Sequence, residues 1–216
     1  METLDLTVFR AAVFDLDGTL ITSEPHNRAQ WFTLFENHGW SIDEDTYRRN
    51  FIGRRGSDVL ASTPGPWQEF DLDELYAEAL AIVPDGDVAI EPVAGAAELV
   101  RWFASRNVSL ALVTSARRDS VDKALRLVGV RDLIGVVVTA DDVTTGKPDP
   151  EGFLLASELL GVPRADSVAF EDSSNGVAAA RAAGYRTVVG VLTTLTADML
   201  MEAGADFTVD DLNDLL

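Results

Sequence analysis

Residues 11–19 read AAVFDLDGT, in which four apolar residues are followed at once by two carboxylates and a glycine. A short apolar run that ends in polar, turn-forming residues is typical of a strand buried on both faces of a parallel sheet. Similar runs recur at residues 108–113, 134–139, 167–170, 187–191 and 207–209. The stretch therefore predicts the first strand of a parallel sheet whose other strands follow along the chain.

Helical patterns lie between most of these apolar runs. Apolar residues at helical spacing predict helices over residues 94–105, 120–128, 150–160 and 175–183. We expect Asp149 to cap the third of these helices, with Pro150 in its first turn. Strands and helices that alternate in this way predict an α/β fold with a doubly wound parallel sheet.

Residues 23–89 interrupt the alternation, because they contain no strand-like apolar run. Helical patterns cover residues 25–37, 44–51, 57–61 and 72–82. Aromatic side chains are expected to pack these helices into a small bundle: Trp31, Phe32, Phe35, Trp40 and Phe51. The sequence thus predicts a core of residues 1–22 plus 90–216 and a helical insertion of residues 23–89. An insertion at that point falls over the carboxyl end of the first strand, where open α/β sheets bind ligands.

Composition excludes several classes of function. The chain of 216 residues has 36 acidic and 17 basic side chains, a formal net charge of -19, with 47% hydrophobic and 25% charged residues. These fractions are ordinary for a folded protein, but so acidic a surface repels nucleic acids and anionic membranes. With no cysteine, the chain has neither disulfides nor thiolate chemistry. We expect no nucleic-acid partner and no membrane partner.

The apolar runs are far shorter than the roughly 20 residues that span a bilayer. Residues 1–10 lack the basic-then-apolar plan of a secretory signal, so we expect a cytoplasmic protein. The sequence does not decide the oligomeric state, although a monomer is slightly favoured.

Polar side chains follow two of the predicted strands. Asp15 and Asp17 suit either a hard cation such as Mg²⁺ or a nucleophile with an acid/base partner, although Asp and Gly also form simple turns after strands. Thr114 and Ser115 follow the second strand, where hydroxyls and free N–H groups before a helix can hold a phosphate oxygen. That signal alone is weak, because Ser and Thr commonly start helices.

Two further polar groups follow later in the chain. Lys147 lies between a glycine and a proline, and it is one of only two lysines, the other being Lys123. A lysine there suits a point charge on phosphate, or it is a solvated loop residue. Glu171 and Asp172 follow the strand of residues 167–170, and adjacent carboxylates indicate a bound cation unless solvent separates them. A parallel sheet brings all four groups to one edge, where they supply what phosphoryl transfer requires.

The order of these motifs resembles the haloacid dehalogenase superfamily of phosphohydrolases, and the resemblance covers essentially the whole chain. The branch it resembles most holds β-phosphoglucomutase and small sugar- or polyol-phosphate phosphatases. The resemblance implies a Rossmann-like core with a helical cap inserted after the first strand.

The resemblance also implies the catalytic roles. Asp15 attacks phosphorus to form an aspartyl-phosphate, while Asp17 protonates the leaving alcohol and then activates water. Thr114 and Lys147 hold the phosphoryl oxygens, helped by the Ser115 backbone. An aspartate at position 17 is typical of the phosphohydrolases, since dehalogenases of the superfamily lack it.

Mg²⁺ is the cofactor that the resemblance implies. Its ligands are Asp15, the backbone carbonyl of Asp17 and Asp172, with Glu171 bound directly or through water.

Mutases of this branch carry a histidine shortly after the first motif and a lysine in the cap. Here Asn27 holds that histidine position, His26 lies one residue early, and residues 23–89 contain no lysine. A phosphatase is therefore favoured over a phosphosugar mutase. A non-catalytic phospho-ligand binding protein is less favoured still, since Asp15 and Asp17 are both present.

The cap segment GRRGSD, residues 53–58, resembles the specificity loop of sugar-phosphate phosphatases. Arg54 or Arg55, with Arg55 preferred, is expected to contact the substrate through hydroxyls or a distal phosphate. The alternative is a solvated basic pair. His26 is either a substrate contact or a surface residue. The expected partner is a small-molecule phosphate monoester, with sugar, polyol, glycolate and nucleotide phosphates all open.

Overall fold

The structure is a computed structural model that describes residues 4–83 and 89–216. Its strands are β1 (Ala11–Phe14), β2 (Ser109–Val113), β3 (Val136–Val138), β4 (Ser167–Glu171), β5 (Thr187–Val191) and β6 (Phe207–Val209). They form one parallel sheet in the order β3-β2-β1-β4-β5-β6. The chain winds outward in one direction from β1 to β3 and in the other from β4 to β6. This reversal opens a crevice at the carboxyl end of β1, between β2 and β4.

The helices of the described chain are α1 (Glu24–Asn37), α2 (Glu44–Asn50), α3 (Gly56–Ser62), α4 (Leu72–Ala81), α5 (Ala96–Ala104), α6 (Arg118–Val128), α7 (Glu151–Leu160), α8 (Ser174–Ala182) and α9 (Ala197–Ala203). Short 3₁₀ turns lie at Leu6–Val8, Pro66–Glu69, Ala140–Asp142, Arg164–Asp166 and Leu212–Leu215. None of the helices in the described ranges has the length and apolar character that a membrane span requires.

The central strands are buried on both faces because helices cover both sides of the sheet. Apolar side chains of α7, α8 and α9 pack on one face, and those of α5 and α6 pack on the other. On the second face the rings of Phe14 and Phe170 stack with centroids 4.7 Å apart, and Phe103 of α5 meets both edge-on. The three layers confirm the predicted α/β fold with a doubly wound, Rossmann-like core.

Helices α1 to α4 stand between β1 and α5, and we call them the helical insertion. Their aromatic side chains form the predicted bundle, in which Phe35 stacks on the buried Trp67 with ring centroids 5.2 Å apart. The chain segments that enter and leave the insertion run side by side, since the N–H of Thr22 donates to the carbonyl of Glu91 at 2.8 Å. Residues 84–88 of the predicted cap lie outside the described residues, so the boundaries 23–89 stay a prediction.

Some predicted element boundaries differ from the structure. Helix α7 begins at Glu151 with Pro150 in the capping position, one residue later than predicted. Asp149 still serves the helix end, because its carboxylate accepts a hydrogen bond from the N–H of Glu151 at 2.9 Å. Helix α9 has no counterpart in the sequence-based prediction, since its seven residues are too few for a clear apolar period.

Replacing Phe170 by alanine should destabilise the protein by about 3–5 kcal/mol. Phe170 is fully buried and its ring stacks on that of Phe14. Its removal would end this contact and open a cavity beside the crevice. Urea denaturation measures the change in the free energy of unfolding. Leu159→Ala is the control, because Leu159 is 58% exposed and its removal should cost less than about 0.5 kcal/mol. Equal losses in the two variants would contradict the layer assignment.

Candidate active site

Asp15 lies at the carboxyl end of β1, at the mouth of the crevice. Its N–H donates to the carbonyl of Phe170 at 3.0 Å, which continues the parallel ladder one residue beyond the strand. The register pairs Phe14 with Phe170, so Asp15 lies level with Glu171 on β4. Asp15 is 4% exposed. The ladder therefore fixes two acidic side chains next to each other below the protein surface.

Lys147 joins these carboxylates to a third strand. Its Nζ donates to Asp15 Oδ1, to Glu171 Oε1 at 2.5 Å and to the backbone carbonyl of Val113 at the end of β2 at 3.0 Å. The side chain is 5% exposed. Its loop is braced by Glu151, whose carboxylate accepts hydrogen bonds from two backbone N–H groups of that loop. The predicted phosphate-site lysine is thus a cross-link between three strand ends.

Burial dominates the electrostatics of the acidic side chains. It raises the pKa of Asp15 well above the ordinary value, against the attraction of Lys147. The pKa of Asp172 is raised too, first by burial and then by the charges of Asp15 and Glu171. For Lys147, burial alone would lower the pKa, but the two carboxylates more than offset it and the pKa is raised. One ammonium therefore binds two of the three buried carboxyl groups.

The arrangement fits a hard divalent cation. One oxygen each from Asp15, Glu171 and Asp172 lie within 4.8 Å of one another, and all three residues are buried. Carboxylate oxygens in excess of the local positive charge are the donor set that Mg²⁺ prefers. Gly18 allows the approach of Asp172, because it has a φ of +82° and a Cβ there would overlap the Asp172 carboxylate. The side chains of Asp15, Glu171 and Asp172 therefore lie together, while the Asp17 carbonyl as a fourth ligand stays a prediction.

Asp17 points to the more open side of the site. It is partly exposed, and its Oδ1 accepts a hydrogen bond from Ser23 Oγ at 2.5 Å. Ser23 precedes α1, where serine usually caps the helix, but it makes no capping hydrogen bond. Sequence reasoning missed Ser23, since a serine before a helix indicates a cap. Here its hydroxyl orients the carboxylate of Asp17.

Thr114 and Ser115 lie at the end of β2. Thr114 Oγ1 accepts a hydrogen bond from the N–H of Ala116 at 3.0 Å, which shapes the turn before α6. Ser115 Oγ donates to the carbonyl of Gly53 in the insertion at 3.0 Å. The side chain of Ser115 therefore connects the sheet edge to the loop that resembles a specificity loop.

Asn175 makes a second connection to that loop. Its Nδ2 donates to the carbonyl of Ile52 at 2.9 Å and to that of Arg49 at 3.3 Å. Gly53 packs so closely that a Cβ there would overlap Ser173 Oγ. Sequence reasoning missed Asn175, because an asparagine in the first turn of a helix resembles an ordinary helix start.

The predicted substrate contacts in the insertion have protein partners in the structure. The Arg54 guanidinium donates to the carbonyl of Asn50 at 3.3 Å and to Ser62 Oγ at 2.9 Å. Arg55 donates to the carbonyl of Val143 at 3.0 Å, in the loop that leads to Lys147. His26 lies in the first turn of α1 and is partly exposed. Their contacts with substrate stay predictions.

Glu24 is a half-buried acid that sequence reasoning did not single out. Its Oε1 accepts a hydrogen bond from the hydroxyl of Tyr47 at 2.8 Å. Burial raises the pKa of Glu24 to about 7, and the nearby charge of Asp17 adds to the effect. An acid in the first turn of a helix is ordinarily an exposed partner of the helix dipole, which is why sequence reasoning passed over Glu24.

A buried acidic cluster bound to a lysine, at the carboxyl edge of a Rossmann-like sheet, is suited to phosphoryl transfer. A family model of the haloacid dehalogenase-like hydrolases matches residues 9–184. The chain belongs to this family, and the resemblance seen in its motifs is confirmed.

Individual relatives indicate which branch of the family the chain resembles. The chain is 41% identical over 210 residues to the validoxylamine A 7'-phosphate phosphatase of Streptomyces hygroscopicus subsp. limoneus, covering 96% of each chain. It is 32% identical over 208 residues to a phosphorylated carbohydrates phosphatase of Thermotoga maritima, covering 90% of this chain and 91% of the relative. The crystal structure of a hydrolase from Pseudomonas syringae superposes with a TM-score of 0.81 at 30% identity, covering 95% of each chain. The prediction of a phosphatase of this superfamily is thus confirmed.

Replacing Lys147 by methionine should destabilise the protein by about 3–5 kcal/mol at pH 8, because it leaves Asp15 and Glu171 buried without their cation. The loss should shrink at pH 5. Without the lysine the folded-state pKa of Asp15 rises further. The variant is therefore stable at low pH, where Asp15 is protonated, and loses stability as pH rises and Asp15 must ionise while buried. Urea denaturation at the two pH values measures it. Lys123→Met, which removes the exposed second lysine, is the control, and equal losses in both variants would contradict the cross-link.

Replacing Glu24 by glutamine should stabilise the protein relative to the wild type as pH rises. The pKa of Glu24 is raised on folding, from 4.5 to about 7, so its contribution to stability is present below pH 4.5 and is lost as pH rises through 7. Glutamine does not titrate. The free energy of unfolding of the variant should therefore gain about 2 kcal/mol on the wild type between pH 5 and pH 8.5. Urea denaturation in the presence of chelator measures the free energy of unfolding of both proteins. A difference between them that does not change with pH would contradict the prediction.

Proposed function

We propose that this protein is a Mg²⁺-dependent phosphatase that hydrolyses a small sugar or polyol monophosphate through an aspartyl-phosphate intermediate. One observation carries the proposal: the buried Asp15 is held by Lys147 beside two further buried carboxylates, while Asp17 stands on the open side. A fixed nucleophile and a separate, accessible acid are the two groups that this reaction needs.

The first chemical step transfers the phosphoryl group to Asp15. A carboxylate oxygen of Asp15 attacks phosphorus, the bond from phosphorus to the ester oxygen breaks, and the leaving alcohol takes a proton from Asp17. In the second step Asp17, now ionised, accepts a proton from water as that water attacks phosphorus. Inorganic phosphate leaves and the Asp15 carboxylate is restored. Ser23 supports both steps because its hydroxyl holds the Asp17 carboxyl.

The phosphoryl oxygens are bound by Lys147 and by groups at the end of β2. Lys147 supplies a positive charge, and Thr114 and the Ser115 backbone supply hydrogen-bond donors. Asp15, Asp172 and the Asp17 carbonyl would hold Mg²⁺, with Glu171 direct or through water. When bound, the cation supplies positive charge that neutralises the phosphoryl oxygens beside so many carboxylates.

The substrate class follows from the relatives and from the insertion. Two relatives are phosphatases of phosphorylated carbohydrates or of a validoxylamine phosphate, which supports a hydroxylated, phosphorylated ring or chain here. Residues 23–89 are proposed as a cap that closes on the sheet edge. The hydrogen bond from Ser115 to Gly53 and the bonds of Asn175 support this assignment. A cytoplasmic location completes the proposal.

A phosphosugar mutase is the second candidate, and the cap argues against it. Asn27 takes the place of the histidine that mutases carry, and residues 23–89 contain no lysine. A non-catalytic phospho-ligand binder is opposed by the presence of both Asp15 and Asp17.

The test is phosphate release from a panel of sugar, polyol and glycolate phosphates with Mg²⁺. We expect turnover of hydroxylated esters, a loss on the order of 10³-fold or more in Asp15→Asn, and a loss in chelator that excess Mg²⁺ reverses. Asp132→Asn, an exposed acid of the same type, should leave the rates unchanged. Isomerised sugar phosphate without free phosphate would establish the mutase instead, and no turnover of any ester would refute both enzymes.

A further inference from the structure

Glu24 is the first residue of α1, the helix that leads from the site into the insertion. It directly follows Ser23, whose hydroxyl binds Asp17 Oδ1. The charge of Asp17 adds to burial in raising the pKa of Glu24, and Glu24 in turn adds to the raised pKa of Asp172. The carboxyl group of Glu24 is therefore within electrostatic reach of both sides of the site.

The Glu24 carboxyl is oriented by the protein but left without a strong counter-charge. Tyr47, 2% exposed, donates its hydroxyl to Oε1 at 2.8 Å. Arg28 is one turn along α1 and opposes the rise in the pKa of Glu24 only in part, because its guanidinium binds Glu44 at 2.6 and 3.3 Å. Among the described residues Glu24 forms no ion pair. Glu24 thus keeps acceptor capacity that Tyr47 does not fill.

A structural role does not account for this placement. An acid at the first turn of a helix stabilises the helix equally well when it is exposed, whereas Glu24 is half-buried next to other acids. Like charges at close range are unfavourable, so the position costs stability. Asp17 is the group that gives its proton to the leaving alcohol. An acceptor beside Asp17 therefore faces the leaving-group side of the site.

We propose that Glu24 determines substrate specificity by accepting a hydrogen bond from a hydroxyl group of the leaving alcohol, with Tyr47 holding the carboxyl in place. This inference rests on the proposed phosphatase function and narrows it. It requires an ester whose alcohol carries at least one further hydroxyl near the ester oxygen.

The experiment compares two esters of primary alcohols that differ in hydroxyl content. Glycerol 1-phosphate has further hydroxyls and propyl phosphate has none, while both leaving alcohols need protonation by Asp17. Glu24→Ala should lower kcat/KM for glycerol 1-phosphate by about 10- to 100-fold, mainly through KM. It should leave propyl phosphate within about threefold, since that ester offers Glu24 no donor.

Two further variants separate the substrate contact from general effects. Tyr47→Phe removes the O–H that orients Glu24, so it should give a smaller loss with the same selectivity between esters. Glu74→Ala removes an exposed glutamate of α4 in the same insertion and should change neither ester. Equal losses for both esters in Glu24→Ala would mean that Glu24 acts on Asp17 or on folding, and would overturn the proposal. No loss for either ester would overturn it as well.

A binding measurement keeps this inference distinct from the proposed function. Calorimetry with Asp15→Asn and Mg²⁺ gives the affinity for each ester without turnover. We expect glycerol 1-phosphate to bind more tightly than propyl phosphate, and Glu24→Ala in the same background to abolish the difference. One outcome is that the wild type hydrolyses no ester while Asp15→Asn still binds glycerol 1-phosphate more tightly and Glu24→Ala abolishes that preference. In that case the phosphatase assignment fails and the role of Glu24 stands. If the two esters bind equally before Glu24 is changed, the inference is refuted.

Discussion

The site depends on one buried ammonium group. Lys147 Nζ binds Asp15 after β1, Glu171 at the end of β4 and the carbonyl of Val113 at the end of β2. Lysine suits this position because its charge is compact and can sit between three acceptors, whereas a planar guanidinium needs more room. The chain uses arginine for almost all of its other cations. The order of the strands puts these three acceptors together, and the hydrogen bonds of the lysine fix the distances between them.

The loops that carry the chemistry also hold the insertion. Ser115 follows the strand that ends near Lys147, and Asn175 lies in the first turn of the helix after Asp172. Both donate to backbone carbonyls of residues 49–53. Contacts to backbone atoms depend on the shape of the loop more than on its side chains. The insertion can therefore vary in sequence at Arg54, which bonds within the insertion, while these contacts with the sheet edge are preserved.

Much of this architecture could be predicted from the sequence, because buried parallel strands leave a plain apolar signal. β1, β5 and β6 begin and end where the apolar runs do, and the four polar motifs meet as expected. The edge strand β3 is shorter than its run, since residues at an edge have a partner strand on one side only. Ser23, Glu24, Tyr47 and Asn175 could not be predicted as parts of the site. Each occupies a position that local rules already explain, as a residue at a helix start or an aromatic side chain of the bundle. Only tertiary packing brings these residues to the surroundings of Asp17 or to residues 49–53 of the insertion.

The acidic residues of the chain fall into two groups, an exposed majority and a few that are buried at the site. A chain with 36 acidic residues can keep most of them in water, where each costs little. Asp15, Glu171 and Asp172 are instead buried together, with a single lysine bound to the first two, and apolar side chains of similar volume would be at least as stable there. The sheet can carry this cost because β1 and β4 are buried along their whole length. The acids occupy the strand ends, so no apolar contact of the core is given up for them. An excess of buried carboxylates in that place is the donor set for the cation that we propose, and the net charge of -19 does not oppose a small phosphate ester as it opposes a polyanion.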